Sequence, residues 1–272
     1  ELERILELYR ERYAGFNARH FFQTVRREHA VKLSYTCVKQ LLQSAGLIKK
    51  RRSRGRHRRR RERKPRFGQM LHLDGSRHGW LALVPEERQT LIQVVDDATS
   101  RLLYAQLWPA ETTQAVMTAM REVVQEHGIP ESLYTDRAGW AFDTPKAGGK
   151  VSKTHLTQVG EALARLGVEH IPSYSPQARG RSERLNQTLQ GRLVNELRAA
   201  GVTTPEAAND HLRERYLPTH NEEFAKPPAR SESGVPAGTG IFTLTAENWD
   251  ELMGDRSTRA LWGIGAKTAA NA

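Results

Sequence analysis

The chain has a single cysteine, no long apolar run and, outside one short segment, no excess of either charge. Cys37 cannot form an internal disulfide, and without histidine or cysteine at ligand spacing it makes no zinc site. No stretch approaches about 18 uninterrupted apolar residues, and the N-terminus lacks the basic, apolar and small-residue sections of a signal peptide. We therefore expect a soluble protein of a reducing cytoplasm, with no membrane partner.

The length of 272 residues allows one sizeable core and a smaller companion unit. The chain opens with Glu1, inside a helical pattern, rather than with methionine. We therefore expect that part of the natural chain lies upstream. Five units are predicted along the sequence, with the bounds 1–48, 49–66, 67–200, 201–230 and 231–272.

Nearly all of the net charge of +11 lies in the second unit, residues 49–66, here called the basic linker. Its segment Lys49–Lys64 holds 12 Lys and Arg against one acid, which leaves 30 basic and 30 acidic residues elsewhere (42 less 12, 31 less 1). A folded core would not bury such a run, so we expect a solvated linker whose counter-ion is a polyphosphate. DNA contacts are predicted for ten of its side chains: Lys49, Lys50, Arg51, Arg52, Arg54, Arg56, Arg58, Arg59, Arg60 and Arg61. A localisation or RNA-binding tract is the alternative.

Residues 1–48 have the pattern of helices, with apolar residues spaced at about 3.6 along LERILELYRERY and HFFQTVRREH. Ser34 is placed to cap a further helix, and Gly46 suits its C-terminal end. Periodicity alone fits a helical hairpin for oligomerisation about as well as a helix-turn-helix unit that binds DNA. The adjoining basic linker favours DNA binding.

After Pro65 the sequence changes to short apolar runs bounded by turns, which is the pattern of strands. Four consecutive strands are predicted, at residues 70–74, 80–84, 91–97 and 102–108. The segments that follow are predicted to be a helix over 113–127, a strand over 132–136, a helix near 156–166, a strand over 168–171 and a long helix over 181–199. This succession indicates an α/β fold with a mixed sheet.

Two aspartates close predicted strands that the topology should bring together. Asp74 ends the first strand, and Asp136 ends the first strand after the helix over 113–127. A right-handed crossover would lay these strands side by side and place both carboxylates at one sheet edge. Glu183 lies in the first turn of the long helix, off the centre of the leucine stripe Leu185–Leu197, so it can face that edge. Each acid alone is also well explained as a turn former or a helix cap.

Three hard oxygen donors without neighbouring cysteine or histidine ligands suit Mg²⁺ or Mn²⁺ rather than zinc. Two such ions about 3.5 to 4 Å apart activate a water or a 3′-hydroxyl and stabilise the departing oxygen in an in-line displacement. Metal-dependent phosphodiester chemistry with two ions can use such an arrangement directly, but the spacing of the three acids alone does not distinguish it from three turn formers or caps.

Four segments resemble, in order, the catalytic core of bacterial insertion-sequence transposases: LHLDGS (71–76), VVDDATSRLL (94–103), LYTDRAG (133–139) and YSPQARGRSERLNQTLQGRLVNEL (174–197). The resemblance runs from about Tyr9 to Phe224 and includes the TPxAGGK-type insertion of one subgroup. It implies an RNase H-like fold with a mixed five-stranded sheet and flanking helices, built from residues 67–200 and extended by helices over 201–230. It also implies that Asp74, Asp136 and Glu183 are the catalytic, metal-binding triad.

The chain departs from the family pattern in two places. The second acid is followed by Arg-Ala-Gly-Trp-Ala-Phe142 instead of a DxGxEF-type turn. The 46 residues between Asp136 and Glu183 are more than is typical of integrases, and the Gly-rich stretch Lys146–His155 absorbs the difference as a surface excursion.

Two arginines and a fourth acid lie close to the triad motifs. Arg179 and Arg181, beside Gly180, are predicted to hold a DNA phosphate near the metals, because Arg suits bidentate recognition. A solvated helix start explains them equally well. Asp97 resembles a strand-end feature that is usually structural, and His72 is expected to be a strand residue rather than a ligand.

The last unit differs in character from the rest. Residues 231–240 have the Ser, Gly and Pro content of a linker, and Ile241–Ala269 resembles an internal piece of Y-family DNA polymerases of the polymerase IV type. We expect a passenger acquired when a mobile element inserted into a polymerase gene, too short to fold on its own.

The function expected from these features is that of a transposase, which cleaves DNA at the ends of a mobile element and joins the 3′-hydroxyls to target DNA. The resemblance also implies a homo-oligomer assembled on DNA, in the nucleoid-associated cytoplasm of a bacterium. Two alternatives remain: a truncated DNA-binding remnant without catalysis, and an RNase H-like nuclease without strand transfer.

Overall fold

The computed structural model describes residues 1–49, 62–145, 149–152, 154–174 and 180–230. The tail unit, the Arg179 prediction and the part of the basic linker from Lys50 to Arg61 lie outside these residues. The helices are α1 (Leu2–Glu11), α2 (Ala18–His29), α3 (Tyr35–Ser44), α4 (Thr113–His127), α5 (Gln158–Arg165), α6 (Gly180–Ala199), α7 (Pro205–His211) and α8 (Leu217–Phe224), with a π-helical turn at Leu212–Tyr216. The strands are β1 (Leu71–His78), β2 (Gln89–Asp96), β3 (Leu102–Trp108), β4 (Ser132–Thr135) and β5 (Glu169–Pro172). None of the helices described is long and apolar enough to cross a membrane.

The five strands form one sheet in the order β3-β2-β1-β4-β5. β1, β2 and β3 pair antiparallel, whereas β4 is parallel to β1 and β5 is parallel to β4. The predicted mixed five-stranded sheet with flanking helices is therefore confirmed. β1 and β4 are parallel neighbours, and α4 lies in the chain between them. The prediction that Asp74 and Asp136 lie at one edge of the sheet depended on this pairing.

The prediction of a separate strand over residues 80–84 is wrong. β1 continues to His78, because its last four residues pair with β2, and the chain then turns at Leu81–Val84. Trp80 and Leu81 are fully buried against leucines of α6, so their apolar character reflects packing of a turn. Asp74 consequently lies in the middle of β1 rather than at its end.

Strand alternation gives the sheet two different faces. Leu71 and Leu73 of β1 pack beneath α4 and α5. The opposite face is covered by α6 and α7, and the predicted leucine stripe of α6 provides three side chains with no exposed surface, Leu189, Leu193 and Leu197. Burial of each stabilises the fold by about 1.5 to 3 kcal/mol. The polar residues of β1 face α6.

The N-terminal helices have a core of their own, in which Tyr9 and Phe21 make an edge-to-face contact at 5.0 Å. Ser34 caps α3 by accepting a hydrogen bond from the Cys37 amide, as predicted. The unit docks on α6 through polar contacts. His20 Nε2 lies 2.7 Å from Glu196 Oε1, and Arg192 donates to Gln23 Oε1 at 3.0 Å.

Two asparagines cover the edge strand β3. Asn221 of α8 accepts a hydrogen bond from the Leu102 amide at 2.7 Å and donates to the Leu102 carbonyl at 2.9 Å. Asn209 of α7 makes the same pair of bonds with Leu107, at 2.7 and 3.1 Å. Each carboxamide thus reproduces the two-bond exchange of an antiparallel neighbour, which protects an edge open to strand addition.

We expect Asn221→Ala to lower the free energy of unfolding by about 1 to 3 kcal/mol, because it leaves a backbone donor of a buried strand residue unpaired. Thermal unfolding should show a midpoint lower by about 2 to 4 °C per kcal/mol in a domain of this size. Gln114→Ala, at an exposed position of α4, is the control and should change the midpoint little. An unchanged midpoint for Asn221→Ala would show that water replaces the carboxamide.

His220 of α8 gives the fold a dependence on pH. It is 4% exposed, lies between Tyr216 and Phe224, and its Nδ1 finds no hydrogen-bond partner among the residues described. Burial, reinforced by the positive charge of Arg192, lowers the pKa of His220 to about 4. The folded state therefore binds fewer protons than the unfolded state between pH 6.5 and 4. The free energy of unfolding is therefore not reduced by His220 above pH 6.5. Below that pH, protonation of the unfolded state lowers it progressively, until the pH reaches about 4.

We expect the wild-type protein to lose about 2 kcal/mol more than His220→Gln when urea unfolding is measured at pH 5 instead of pH 7.5. His155→Gln removes an exposed histidine and should keep the wild-type pH dependence. Equal pH dependence in wild type and His220→Gln would contradict this assignment.

Candidate active site

Asp74 and Asp136 occupy matching positions on neighbouring parallel strands. The β1–β4 register pairs Leu71 with Leu133 and His72 with Tyr134, so continuing it by two residues aligns Asp74 with Asp136. Adjacent strands lie about 4.8 Å apart. Asp136 is the first residue after β4, and its Oδ1 accepts a hydrogen bond from the Ala138 amide at 3.0 Å. The pairing of β1 with β4 is thus the one that the predicted crossover needed, and the convergence of the two acids on a metal stays a prediction.

Polar side chains of α6 contact β1 and β2 around Asp74. Asp74 is 6% exposed, and its Oδ2 accepts a hydrogen bond from Asn186 Nδ2 at 2.9 Å. Asn186 also accepts a bond from Gln93, the cross-strand partner of Asp74. One turn further along, Gln190 donates to Ser76 Oγ at 3.2 Å. A polar stripe on α6 thus runs along β1, beside the leucine stripe that anchors the same helix.

Glu183 lies in the first turn of α6, three residues before Asn186. Residues three apart share a helix face and are separated by about 4.5 Å along the axis, so Glu183 lies one turn beyond the Asn186–Asp74 bond. Its side chain is exposed. Within the part of the chain that the structure describes, no three His, Cys, Asp or Glu residues form a group that could hold a metal ion. The metal-binding triad stays a prediction.

The donor atoms at this site suit a hard cation. The carboxylates of Asp74 and Asp136 are oxygen donors, which Mg²⁺ and Mn²⁺ prefer. His72, two residues before Asp74, has its Nε2 2.7 Å from Asp97 Oδ1, so that nitrogen is engaged away from the site. The residues therefore fit a magnesium-type ion better than zinc.

Sequence reasoning missed Glu111, which precedes α4. Its carboxylate lies over Gly75, where a Cβ would come within 2.3 Å of Glu111 Oε2. The same carboxylate accepts a hydrogen bond from Trp140 Nε1 at 2.9 Å, which ties it to the loop after Asp136. A glycine inside a strand signals close approach of another group, so Gly75 was the available clue.

The predicted DNA-contacting residues are only partly described. Lys49 is exposed at the end of the N-terminal helices. Arg181 Nη1 lies 2.9 Å from Asp97 Oδ1 and also donates to the Asp97 carbonyl. A phosphate contact by Arg181 stays a prediction, and the ion pair with Asp97 is a contact that the sequence did not indicate.

Comparison with known proteins identifies the relatives of this chain. It is 31% identical over 230 residues to protein y4bF of Sinorhizobium fredii, which is named a transposase; the match covers 84% of this chain and 49% of y4bF. It is 30% identical over 257 residues to the transposase for insertion sequence IS1202 of Streptococcus pneumoniae, covering 82% of this chain and 54% of that protein. No family model matches. The predicted resemblance to insertion-sequence transposases is confirmed, and the chain spans about half the length of these curated relatives.

Retroviral intasome and integrase structures are among the solved structures that align with the chain. The simian T-cell lymphotropic virus intasome in complex with PP2A regulatory subunit B56 gamma gives a TM-score of 0.47 at 16% identity, over 79% of this chain and 72% of that chain. The HTLV-2 integrase catalytic core domain in complex with magnesium gives 0.39 at 15% identity, over 55% of this chain and 88% of that chain. The mixed five-stranded sheet described above, with its flanking helices, is the arrangement that the resemblance to insertion-sequence transposases implied.

A separate, short match involves a DNA polymerase. The chain is 48% identical over 40 residues to DNA polymerase IV 2 of Mycobacterium tuberculosis, which covers 15% of this chain and 12% of the polymerase. The predicted resemblance to polymerase IV is confirmed as a partial match of this length.

Proposed function

We propose that this chain is a transposase that cleaves DNA at the ends of a mobile element and joins the 3′-hydroxyls to target DNA by metal-dependent transesterification. One observation carries the proposal. The parallel β1–β4 register, continued by two residues, would align Asp74 with Asp136, and the helix that contains Glu183 is bonded to Asp74 through Asn186. The relationship to insertion-sequence transposases supports it.

In this proposal Asp74, Asp136 and Glu183 hold two Mg²⁺ or Mn²⁺ ions. Bound ions would activate a water or a 3′-hydroxyl and stabilise the departing oxygen. The protein supplies the orientation. Asn186 directs one oxygen of Asp74, and the Ala138 amide directs one oxygen of Asp136. Hydrogen bonds of this kind fix the geometry of carboxylate ligands. Glu183, on the exposed first turn of α6, closes the site from the helix side.

The basic linker is proposed to bind the DNA phosphates through the ten Lys and Arg residues named above, together with Arg179 and Arg181. The described end of the linker supports this role. The Lys64 amide donates to Asp97 Oδ2 at 2.7 Å, and Arg63 donates to the Ala98 carbonyl at 3.0 Å. Arg181 and His72 contact the same Asp97 carboxylate, so the linker joins the core close to the proposed metal site.

The N-terminal helices are proposed to bind DNA as a helix-turn-helix unit, and the protein is proposed to assemble as a homo-oligomer, since two element ends must be brought together. The docking of α2 on α6 through His20 and Glu196 would fix the position of this unit relative to the site. Activity would take place in the bacterial cytoplasm at the nucleoid.

The test uses the purified chain, labelled duplexes that carry candidate element ends, and Mg²⁺ or Mn²⁺. Joined products, separated on a denaturing gel, would support the transposase. Cleavage that ignores the end sequence would favour a nuclease without strand transfer. Binding without cleavage, unchanged by Asp136→Asn, would favour a DNA-binding remnant.

A further inference from the structure

Asp97 lies directly after β2, and its side chain is fully buried. Its Oδ1 is 2.7 Å from His72 Nε2 and 2.9 Å from Arg181 Nη1. Its Oδ2 accepts the hydrogen bond of the Lys64 amide at 2.7 Å. Three segments that are distant in sequence therefore meet on one carboxylate: the end of the basic linker, β1 and the start of α6.

The Asp97 carboxylate is held as an anion. Burial alone would raise the pKa of Asp97, but the bonds from His72 and the Lys64 amide, together with the charge of Arg181, lower it to about 2. A buried carboxylate that lost these partners would cost several kcal/mol. Displacing His72, Arg181 or the Lys64 amide from Asp97 is therefore costly. Both carboxylate oxygens of Asp97 are engaged by these partners. This arrangement argues against Asp97 as a metal ligand.

The partners of Asp97 adjoin the proposed metal ligands. His72 is two residues before Asp74 on the same face of β1, a distance of about 6.6 Å along the strand. Arg181 is two residues before Glu183 on α6, about 3 Å along the helix axis. Asp97 thus joins the β1 segment that carries one proposed ligand to the helical turn that carries another.

The first turn of α6 has few other anchors: Ser182 is buried there, and Leu185 packs only partly against the leucine cluster. The fully buried leucines of this helix begin at Leu189, six residues or about 9 Å beyond Glu183. The hydrogen bond from Asn186 to Asp74 lies between them. Glu183 is exposed, so apolar packing of its own side chain does not set its position. The Arg181–Asp97 ion pair fixes the helix on the N-terminal side of Glu183, whereas the leucines fix it on the C-terminal side.

We infer that Asp97 is a positioning residue, which acts through Arg181 to orient the first turn of α6 and therefore Glu183 relative to Asp74. The inference rests on the proposed function for the role of Glu183, but the positioning itself is a property of the chain and can be measured without activity. Asp97 would then do more than stabilise the end of β2.

The test compares four variants of the full chain. Asp97→Asn removes the anion, and Arg181→Gln removes its partner while leaving the buried carboxylate bonded to His72 and Lys64. Arg181→Lys keeps the charge and should rescue. The matched control is Asp96→Asn, at a residue 1% exposed whose carboxylate accepts hydrogen bonds from the amides of Thr99 and Gly68, both of which lie outside α6.

Two measurements are made on each folded protein. Hydrogen exchange of peptides spanning 180–187 should be at least about 10-fold faster in Asp97→Asn and Arg181→Gln, and unchanged in Asp96→Asn and Arg181→Lys. Mn²⁺ affinity, followed by electron paramagnetic resonance, should fall by about 10-fold in the first two variants only, the usual effect of removing a residue that orients metal ligands.

Exchange and Mn²⁺ affinity within twofold of wild type in Asp97→Asn and Arg181→Gln would overturn the inference. Equal effects in Asp96→Asn would also overturn it, because they would reduce Asp97 to a general stabilising residue. If wild type neither binds Mn²⁺ nor cleaves DNA, yet exchange at 180–187 quickens in the two variants, the proposed function fails and the positioning role stands.

Discussion

Asp136→Asn is expected to lower the rate of metal-dependent DNA cleavage and joining on the order of 10³-fold while DNA affinity stays within a few fold of wild type. The substitution removes a charge that a divalent ion requires but changes the side-chain shape very little. The amide oxygen can still accept the hydrogen bond from the Ala138 amide, so the loop after β4 keeps its turn. A loss of about 4 kcal/mol of transition-state stabilisation corresponds to the expected change in rate.

Single-turnover assays on labelled element ends, with a parallel measurement of DNA binding by fluorescence anisotropy, would separate chemistry from affinity. Asp143→Asn is the matched control. Asp143 is exposed, seven residues further along the same loop, and its substitution should leave the rate unchanged. Wild-type cleavage by Asp136→Asn would remove Asp136 from the catalytic group and leave the aligned pair of aspartates without a chemical role.

Replacement of Arg58–Arg61 by glutamine is expected to weaken DNA binding by about 10²- to 10³-fold at 0.15 M salt. Each Lys or Arg that neutralises a phosphate of B-DNA contributes about 0.9 to the slope of log affinity against log salt. Four lost contacts should therefore reduce that slope by about 3 to 4. The loss should be nearly the same for element ends and for unrelated duplexes, because phosphate contacts carry no sequence information.

The salt slope is measured by anisotropy titrations between 50 and 200 mM salt. A control with equal loss of charge replaces four exposed arginines dispersed over the core: Arg88, Arg121, Arg213 and Arg230. It should change the slope by less than about 1. An equal effect of the two quadruple variants would mean that net charge acts at a distance and that the linker makes no dedicated contacts. A larger loss on RNA than on DNA would favour the alternative interpretation of the linker.

Much of the fold could be predicted because its signals are local. The helix over 113–127, the cap at Ser34 and the leucine stripe of α6 each follow from residues within a few turns of one another. The pairing of β1 with β4 could also be predicted, because a parallel pair with a helical crossover leaves few arrangements for two strands.

Two kinds of feature were harder to predict from the sequence. One is a turn that buries apolar side chains, and the other is a glycine that leaves room for a neighbouring group. Trp80 and Leu81 are residue types that are common in strands, yet they lie at a turn. Their apolar side chains are explained by burial against α6 and not by pairing of their backbone in the sheet. Gly75 gave a sign of close approach without naming its neighbour, and the acid that lies over it, Glu111, is 36 residues away along the chain.

The sequence by itself determined the class of fold, the succession of elements, the concentration of positive charge in one linker and the three acids of the proposed site. Each of these depends on composition or on short periodic patterns. Tertiary structure alone decided that Asn186 binds Asp74 and that Asp97 receives Arg181, His72 and the Lys64 amide. Those contacts join residues separated by as many as 112 positions, where no local pattern specifies a partner. For Asn186 and Arg181, the packing of α6 across the sheet brings the side chains to their partners.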